Sequence, residues 1–211
     1  MNNLNIKDLF SGMFSDVLDS LGYRDCVIPG VKPINANIKI LGRVRTLELI
    51  NVNSVEIPEN IEKGLSFLES VEKNQILFVK GSDEYAYFGE LMTRLSQRQG
   101  VQAAVVCGLS RDSSYIVNSG FNFFSSGFLP SDIKGRGQVK AVDGTVIINK
   151  VTVNSGDCIF GDSDGIVIIP KKIEQTVLDK IQEMVVDEKL IVDKINSGFS
   201  VGEILKSHKS F

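Results

Sequence analysis

The chain has 211 residues and a formal net charge of −3, with 43% hydrophobic and 23% charged residues. That suits one domain, or one domain with a helical extension, and supplies ample material for a core. The mildly acidic balance leaves no overall field toward nucleic acid or anionic lipid, so neither is an expected partner.

The opening MNNLNIKDLFSG has no basic segment followed by an apolar one. The longest apolar runs, such as Ile76 to Val79 and Ile166 to Ile169, are far too short to cross a bilayer. A cytoplasmic protein with no membrane partner is the expectation. Cys26, Cys107 and Cys158 are odd in number and widely spaced, which fits neither a disulfide framework nor a Cys-rich zinc site. The single histidine, His208, stands near the C-terminus. Any acid–base or metal chemistry therefore falls to carboxylates, arginine and water.

In chain order, Val17, Leu18 and Leu21 beside Phe14 predict a short helix over Ser15 to Leu21, stopped by Gly22. Residues 23–37 are rich in turn formers. Ile38 to Leu49 alternates around Gly42 and reads as strand. Pro58 to Ser70 reads as a helix with Ile61, Leu65 and Leu68 on one face. Ile76 to Val79 reads as a buried strand, Gly81 to Gly89 as a turn-rich loop, Glu90 to Gln99 as a helix ended by Gly100, and Ala103 to Val106 as a parallel strand. Residues 76–106 thus form one βαβ unit. Phe121 to Phe124 is a further strand, and 125–137 a loop. Val139 to Val142 and Thr145 to Ile148 flank Asp143-Gly144, a hairpin signal. Cys158 to Phe160 and Ile166 to Ile169 flank GDSDG. From Pro170 to Ser197 apolar residues step by three or four, giving a long amphipathic helix or two, with Glu188 interrupting the stripe. Its far end carries more apolar surface than one domain needs, so a partner subunit is expected. Residues 1–170 read as an α/β domain, and 171–211 as its helical extension.

The densest constellation is GELMTRLSQRQGVQAAVVCGLSRD, Gly89 to Asp112. Gly89-Glu90-Leu91-Met92 sits where a loop opens a helix. The free amides of a first helical turn can hold a carboxylate or phosphate, and Gly89 would let a ligand approach the backbone. The strand from Ala103 ends in Cys107-Gly108, with Arg111-Asp112 just beyond. Ligands of parallel sheets gather at carboxyl strand ends. Arg111 is a bidentate donor for a carboxylate, and Asp112 an oxygen ligand for hydrated Mg²⁺. Together they would suit a small 2-oxo acid and its enolate. The plainer alternative is a surface ion pair, worth ~0–1 kcal/mol, beside an ordinary helix cap.

This stretch resembles the signature of the class II pyruvate aldolases that act on 4-hydroxy-4-methyl-2-oxoglutarate and 4-carboxy-4-hydroxy-2-oxoadipate. That family also contains the RraA-type regulators of ribonuclease activity. It carries a GELL-type helix start, then VxDGxxRD, at the spacing found here between Gly89 and Arg111. SDVLDSLG at Ser15 to Gly22, GRVRTLEL at Gly42 to Leu49 and VNSGDCIFGDSDGIVIIP at Val153 to Pro170 are similar to further family blocks. The resemblance spans roughly residues 12–200.

The resemblance implies a swivelling β/β/α, phosphohistidine-domain-like fold with a long C-terminal amphipathic helix, assembled as a trimer or pair of trimers. It implies a lyase that uses Mg²⁺ or Mn²⁺ to cleave or decarboxylate a small 2-oxo acid through a pyruvate enolate. Arg111 would bind substrate and steady the enolate. Asp112 would hold the metal, with Glu90 near its waters. The amides of Leu91 and Met92, beside Gly89, would hold the pyruvyl carboxylate. Glu188 would reach the metal site of a neighbouring subunit. Two positions depart from the pattern. Cys107 replaces an acidic residue of VxDG, and Tyr115 replaces a carboxylate that helps hold the metal's water shell. A different class of function is a non-catalytic RraA-like regulator that binds a ribonuclease or another protein; an aldolase-like enzyme of a sugar or surface-polymer pathway is a third.

Other features have plain structural readings. Cys107 suits packing, since no histidine can pair with it. Asp162, Asp164 and Gly165 suit a tight hairpin rather than a cation loop. Arg43 and Arg45 share a strand face, either solvated or lining an anion site. Ser15 and Asp19 suit cap and turn contacts.

Overall fold

The computed structural model describes residues 4–53 and 58–207, with the backbone alone for 58–61. His208, the first three residues and the Ile61 side chain lie outside the described residues. In chain order the elements are α1 (Ser11–Ser20), β1 (Val27–Ile28), β2 (Lys32–Pro33), β3 (Ile40–Asn51), α2 (Pro58–Glu69), β4 (Ile76–Lys80), β5 (Ala86–Phe88) and α3 (Glu90–Gln99). There follow β6 (Ala103–Ser110), α4 (Ser113–Ser119), β7 (Asn122–Phe128), β8 (Gly137–Val142), β9 (Thr145–Ile148), β10 (Val151–Asn154), β11 (Cys158–Asp162) and β12 (Gly165–Ile169). The chain closes with α5 (Glu174–Asn196) and α6 (Val201–Ser207).

The main sheet runs β1-β12-β11-β3-β4-β6-β7-β2, with β5 added to β6 and β8 to β3. The long β3 makes this possible by changing partners along its length. Its first residues pair antiparallel with β11, its middle pairs parallel with β4, and its end pairs antiparallel with β8. The expected βαβ unit is present, with β4 parallel to β6 from Ile76 opposite Ala103.

The unbroken apolar runs follow from burial on both sheet faces. Successive strand residues point to opposite faces, so a strand covered on both sides has no polar position. In β4, Ile76 and Phe78 join one core cluster with the β9–β10 hairpin, while Leu77 and Val79 join another with Phe67, Leu68 and Phe88. In β6, Ala103 and Val105 divide from Ala104 and Val106 in the same way. A third cluster sets α1 and α5 against β11 and β12, with Phe14 stacked on Phe160 at 4.6 Å between ring centroids. No helix among the described residues is long and apolar enough to cross a membrane.

Several boundaries differ from the sequence expectation. β6 does not end at Cys107-Gly108 but runs on to Ser110, across an irregular register with β7 between Val106 and Leu109. Asp143-Gly144 does not close a hairpin: β8 pairs with β3, and β9 pairs with β10 around Asn149-Lys150. Asp143 instead forms an ion pair with Arg45, and the Gly144 carbonyl accepts from Thr46 Oγ1 at 2.6 Å. Arg43 pairs with Glu174 at 2.7 Å, so neither arginine of β3 is left to line an anion site. Helix α1 begins four residues earlier than expected, because its first amide, Ser11 N–H, donates to Asp162 Oδ2 at 2.8 Å.

That bond explains the GDSDG turn. Asp162 is buried, and its other oxygen accepts from the Asp164 amide at 2.9 Å. Both carboxylate oxygens serve backbone donors, as the hairpin reading requires. Asp162→Ala strands these donors and is expected to cost about 1–3 kcal/mol of unfolding free energy, read by urea denaturation. Added Ca²⁺ is expected to leave the wild-type melting temperature unchanged.

Candidate active site

Two neighbouring parallel strands end side by side. β5 pairs with β6 so that Phe88 lies opposite Ser110, and the Arg111 amide donates to the Phe88 carbonyl at 2.8 Å. Gly89 and Arg111-Asp112 therefore leave the sheet at the same point. The continuation of β6 creates this alignment, and Gly108 allows it: a Cβ there would stand 2.5 Å from the Ser82 amide nitrogen. No side chain fits at that crossing.

Gly89 is the N-cap of α3 and offers no capping side chain. Asp112 takes over that role, accepting the Glu90 amide on Oδ2 at 3.0 Å. A Cβ on Gly89 would lie 2.5 Å from that oxygen and 3.0 Å from Arg111 Cγ. A side chain at Gly89 would therefore have to displace the carboxylate. Asp112 itself sits in the left-handed region, at φ 54 and ψ 38. A non-glycine residue held there costs of order 1–3 kcal/mol, and such strain gathers at functional sites.

The first bond inside α3 runs from the Thr93 amide to the Gly89 carbonyl, so the amides of Leu91 and Met92 have no partner among the described residues. Arg111 lies between two acids, with Nε 3.8 Å from Asp112 Oδ2 and Nη1 3.5 Å from Asp132 Oδ2. Glu90 is held by Arg94 one turn on, at 2.9 Å. These groups border a cleft of 230 Å³ lined by Gly89, Glu90, Leu91, Met92, Arg111, Asp112 and Asp132, closed by Gly64, Leu65, Tyr87, Ile133, Lys134 and the start of β8.

The cleft thus gathers Gly89, Glu90, Leu91, Met92, Arg111 and Asp112. Glu188 does not line it. That residue lies on α5, which packs against α1, and its carboxyl is pushed above the ordinary range by burial and then by Asp16. Asp132, Lys134 and Tyr87 were not singled out in the sequence. The first two are carried to the cleft by a bridge between Ala86 and Asp132 and by the Ala86 amide donating to the Ser131 carbonyl, pairings with no local signal. Cys107 opens on a different depression, beside Gly81, Ser82 and Asn149, and burial pushes its thiol far above the ordinary range. Tyr115 carries the Arg94 guanidinium 4.5 Å above its ring.

The donor set decides what metal would suit. Among the described residues, no three His, Cys, Asp or Glu side chains converge as a cage. Asp112 has one oxygen committed to an amide and a half-exposed side chain. That fits a hydrated Mg²⁺ or Mn²⁺, which keeps several waters and needs one or two carboxylates, and does not fit a stripped ion. Gly89→Ala is expected to displace the Asp112 carboxylate and weaken binding of pyruvate and Mg²⁺ about tenfold or more, read by calorimetry, with the circular dichroism spectrum retained.

A family model described as RraA-like, Aldolase/RraA, matches residues 12–168. Legionella pneumophila DlpA is 26% identical over 190 residues, covering 89% of this chain, which spans only 30% of DlpA. A Halalkalibacterium halodurans protein named "Putative 4-hydroxy-4-methyl-2-oxoglutarate aldolase" is 26% identical, over 82% of this chain and 79% of its own. Among solved structures, an uncharacterized Pseudomonas syringae protein superposes with a TM-score of 0.86 at 23% identity, over 96% of this chain and 93% of its own. Streptomyces coelicolor RraAS2, described as an unusual member of the RNase ES inhibitor RraA family, gives 0.79 at 23%, over 88% and 94%. The structures share the fold. With the family model matched from the first helix to the last strand of the sheet, this chain belongs to the RraA-like, Aldolase/RraA family.

Proposed function

We propose that the chain is a divalent-metal-dependent carbon–carbon lyase, an aldolase or decarboxylase, acting on a small 2-oxo acid in the cleft at Gly89 and Asp112. The observation that carries this reading is the convergence of two helix amides without a partner among the described residues, a guanidinium and a half-exposed carboxylate on one small cleft. The aldolase names among its relatives support it.

The roles follow from charge. The Leu91 and Met92 amides, at the positive end of α3, bind the substrate carboxylate. Arg111 faces the C2 oxygen. Cleaving the C3–C4 bond of an aldol substrate moves the bonding pair into a pyruvate enolate. The C4 hydroxyl proton leaves to a base, a carbonyl compound departs, and water returns a proton to C3. Loss of CO₂ from oxaloacetate yields the same enolate. Arg111 is pre-positioned by Asp132 and Asp112 to carry the charge that develops on the enolate oxygen. Glu90 and Asp132 are cleft carboxylates able to accept or return the proton. Asp112 would hold Mg²⁺ or Mn²⁺, which when bound supplies Lewis-acid charge.

The proposal extends to a homotrimer or hexamer. Glu188 does not line the cleft of its own chain, so its contribution to a metal site would be made to a neighbouring copy. Val186, Leu190 and Ile195 on α5, Phe199 after it and Val201 at the start of α6 are exposed and would supply the contact surface. A second reading, a non-catalytic regulator that binds a ribonuclease or other protein, draws on Leu91, an apolar side chain 73% exposed beside the cleft.

The two readings part on one assay. With oxaloacetate and Mg²⁺, pyruvate is expected to form, to stop on chelation, and to fall about 100-fold or more in Asp112→Ala and Arg111→Lys. No turnover of any 2-oxo acid, with no effect of Mg²⁺ on melting, would leave the regulator.

A further inference from the structure

Glu90 and Asp112 belong to a closed ring of contacts that reaches beyond the cleft. The Glu90 amide donates to Asp112 Oδ2 at 3.0 Å. The Asp112 carbonyl in turn accepts the Tyr115 amide at 3.0 Å, at the start of α4. The Tyr115 side chain carries the Arg94 guanidinium over its ring, with the central carbon 4.5 Å from the ring centroid. Arg94 closes the circuit on Glu90, with Nε and Nη2 each 2.9 Å from Oε1.

An ion pair one turn apart on an open helix face contributes little, because two long side chains must be held still for it. Arg94 is 58% exposed, so by itself this pair would be of that kind. The aromatic ring supplies the restraint that solvent does not, since a guanidinium stacks on an aromatic face and is attracted to it. Arg94 is therefore braced from two elements, by Glu90 on its own helix and by Tyr115 on α4.

The consequence is electrostatic. Three carboxylates line the cleft, Glu90, Asp112 and Asp132, with two cations, Arg111 and Lys134. Arg111 stands between Asp112 and Asp132. Arg94 is not part of the lining, yet it offsets the charge of Glu90, the carboxylate next to the Asp112-capped amide. Affinity for a hydrated divalent cation rises with the carboxylate charge that it meets.

We propose that Arg94, seated on Tyr115, is a positioning residue that engages Glu90 and so lowers the affinity of the cleft for its divalent cation. The inference rests on the lyase reading and names what sets metal affinity in that site.

The test measures Mn²⁺ binding to the full chain without substrate, by calorimetry and by the paramagnetic resonance signal of the free ion. Arg94→Gln removes the cation and is expected to bind Mn²⁺ about tenfold more tightly than wild type. Arg94→Lys keeps the charge and is expected to bind as wild type does. Tyr115→Glu offers Arg94 a second carboxylate and releases Glu90, so it too is expected to bind more tightly. It keeps the inference testable should Arg94→Gln lose its circular dichroism spectrum. Adding Asp112→Ala to wild type or to either tighter variant is expected to abolish binding. Affinity that is unchanged or lower in folded Arg94→Gln or Tyr115→Glu overturns the inference while leaving the Asp112 site. Tightening in Arg94→Lys equal to that in Arg94→Gln overturns it as well. Mn²⁺ binding absent from every protein, or intact in Asp112→Ala, overturns the metal-dependent reading and this inference with it.

Discussion

The site depends on one hydrogen bond, from the Glu90 amide to the Asp112 carboxylate across Gly89. An N-cap bond of this kind is worth about 0.5–2 kcal/mol, and here the cap comes from a residue 22 positions later. It fastens the start of α3 to the end of β6. The next two amides of α3 have no partner among the described residues, and Arg111 borders the same cleft. The other Asp112 oxygen accepts no hydrogen bond among the described residues. One carboxylate thus serves helix capping, backbone alignment and the candidate chemistry. The same device appears at α1, where Asp162 caps a helix whose own N-cap residue, Phe10, cannot. There both oxygens serve backbone amides, and no ligand role remains.

The sheet topology supplies the geometry on which that bond relies. β5 and β6 are parallel and end in register, so two segments far apart in sequence leave the sheet together. The loop after β7 is drawn in beside β5 and brings Asp132 to Arg111. The result is a cleft that joins Glu90, Arg111, Asp112, Asp132 and Lys134 to apolar residues of α2 and β8.

Much of this was legible in the sequence, for identifiable reasons. β4 and the first half of β6 announce themselves because both sheet faces bury them, and α3 because Gly100 closes it in the left-handed conformation. The grouping of Gly89, Glu90, Leu91, Met92, Arg111 and Asp112 followed from the free amides of a helix start, the rule that ligands gather at carboxyl strand ends and the resemblance to the family signature. The full length of β6 did not, since Cys107-Gly108 looks like a strand terminus and is instead an irregularity within one. Asp143-Gly144 carries a hairpin signature, but pairing with β3 and the Arg45 ion pair outweigh the turn preference. Asp132, Lys134 and Tyr87 reach the cleft through long-range pairings that leave no periodic trace. Tyr87 in particular reads as an ordinary strand aromatic, with nothing to place it against Gly64 of α2.

The most direct test is a crystal structure of the protein with oxalate, a mimic of the pyruvate enolate, and Mg²⁺. The account predicts an oxalate carboxylate on the Leu91 and Met92 amides, Arg111 on its other end, and the cation on Asp112. Oxalate bound elsewhere, or a cation that leaves Asp112 uncontacted, would contradict it.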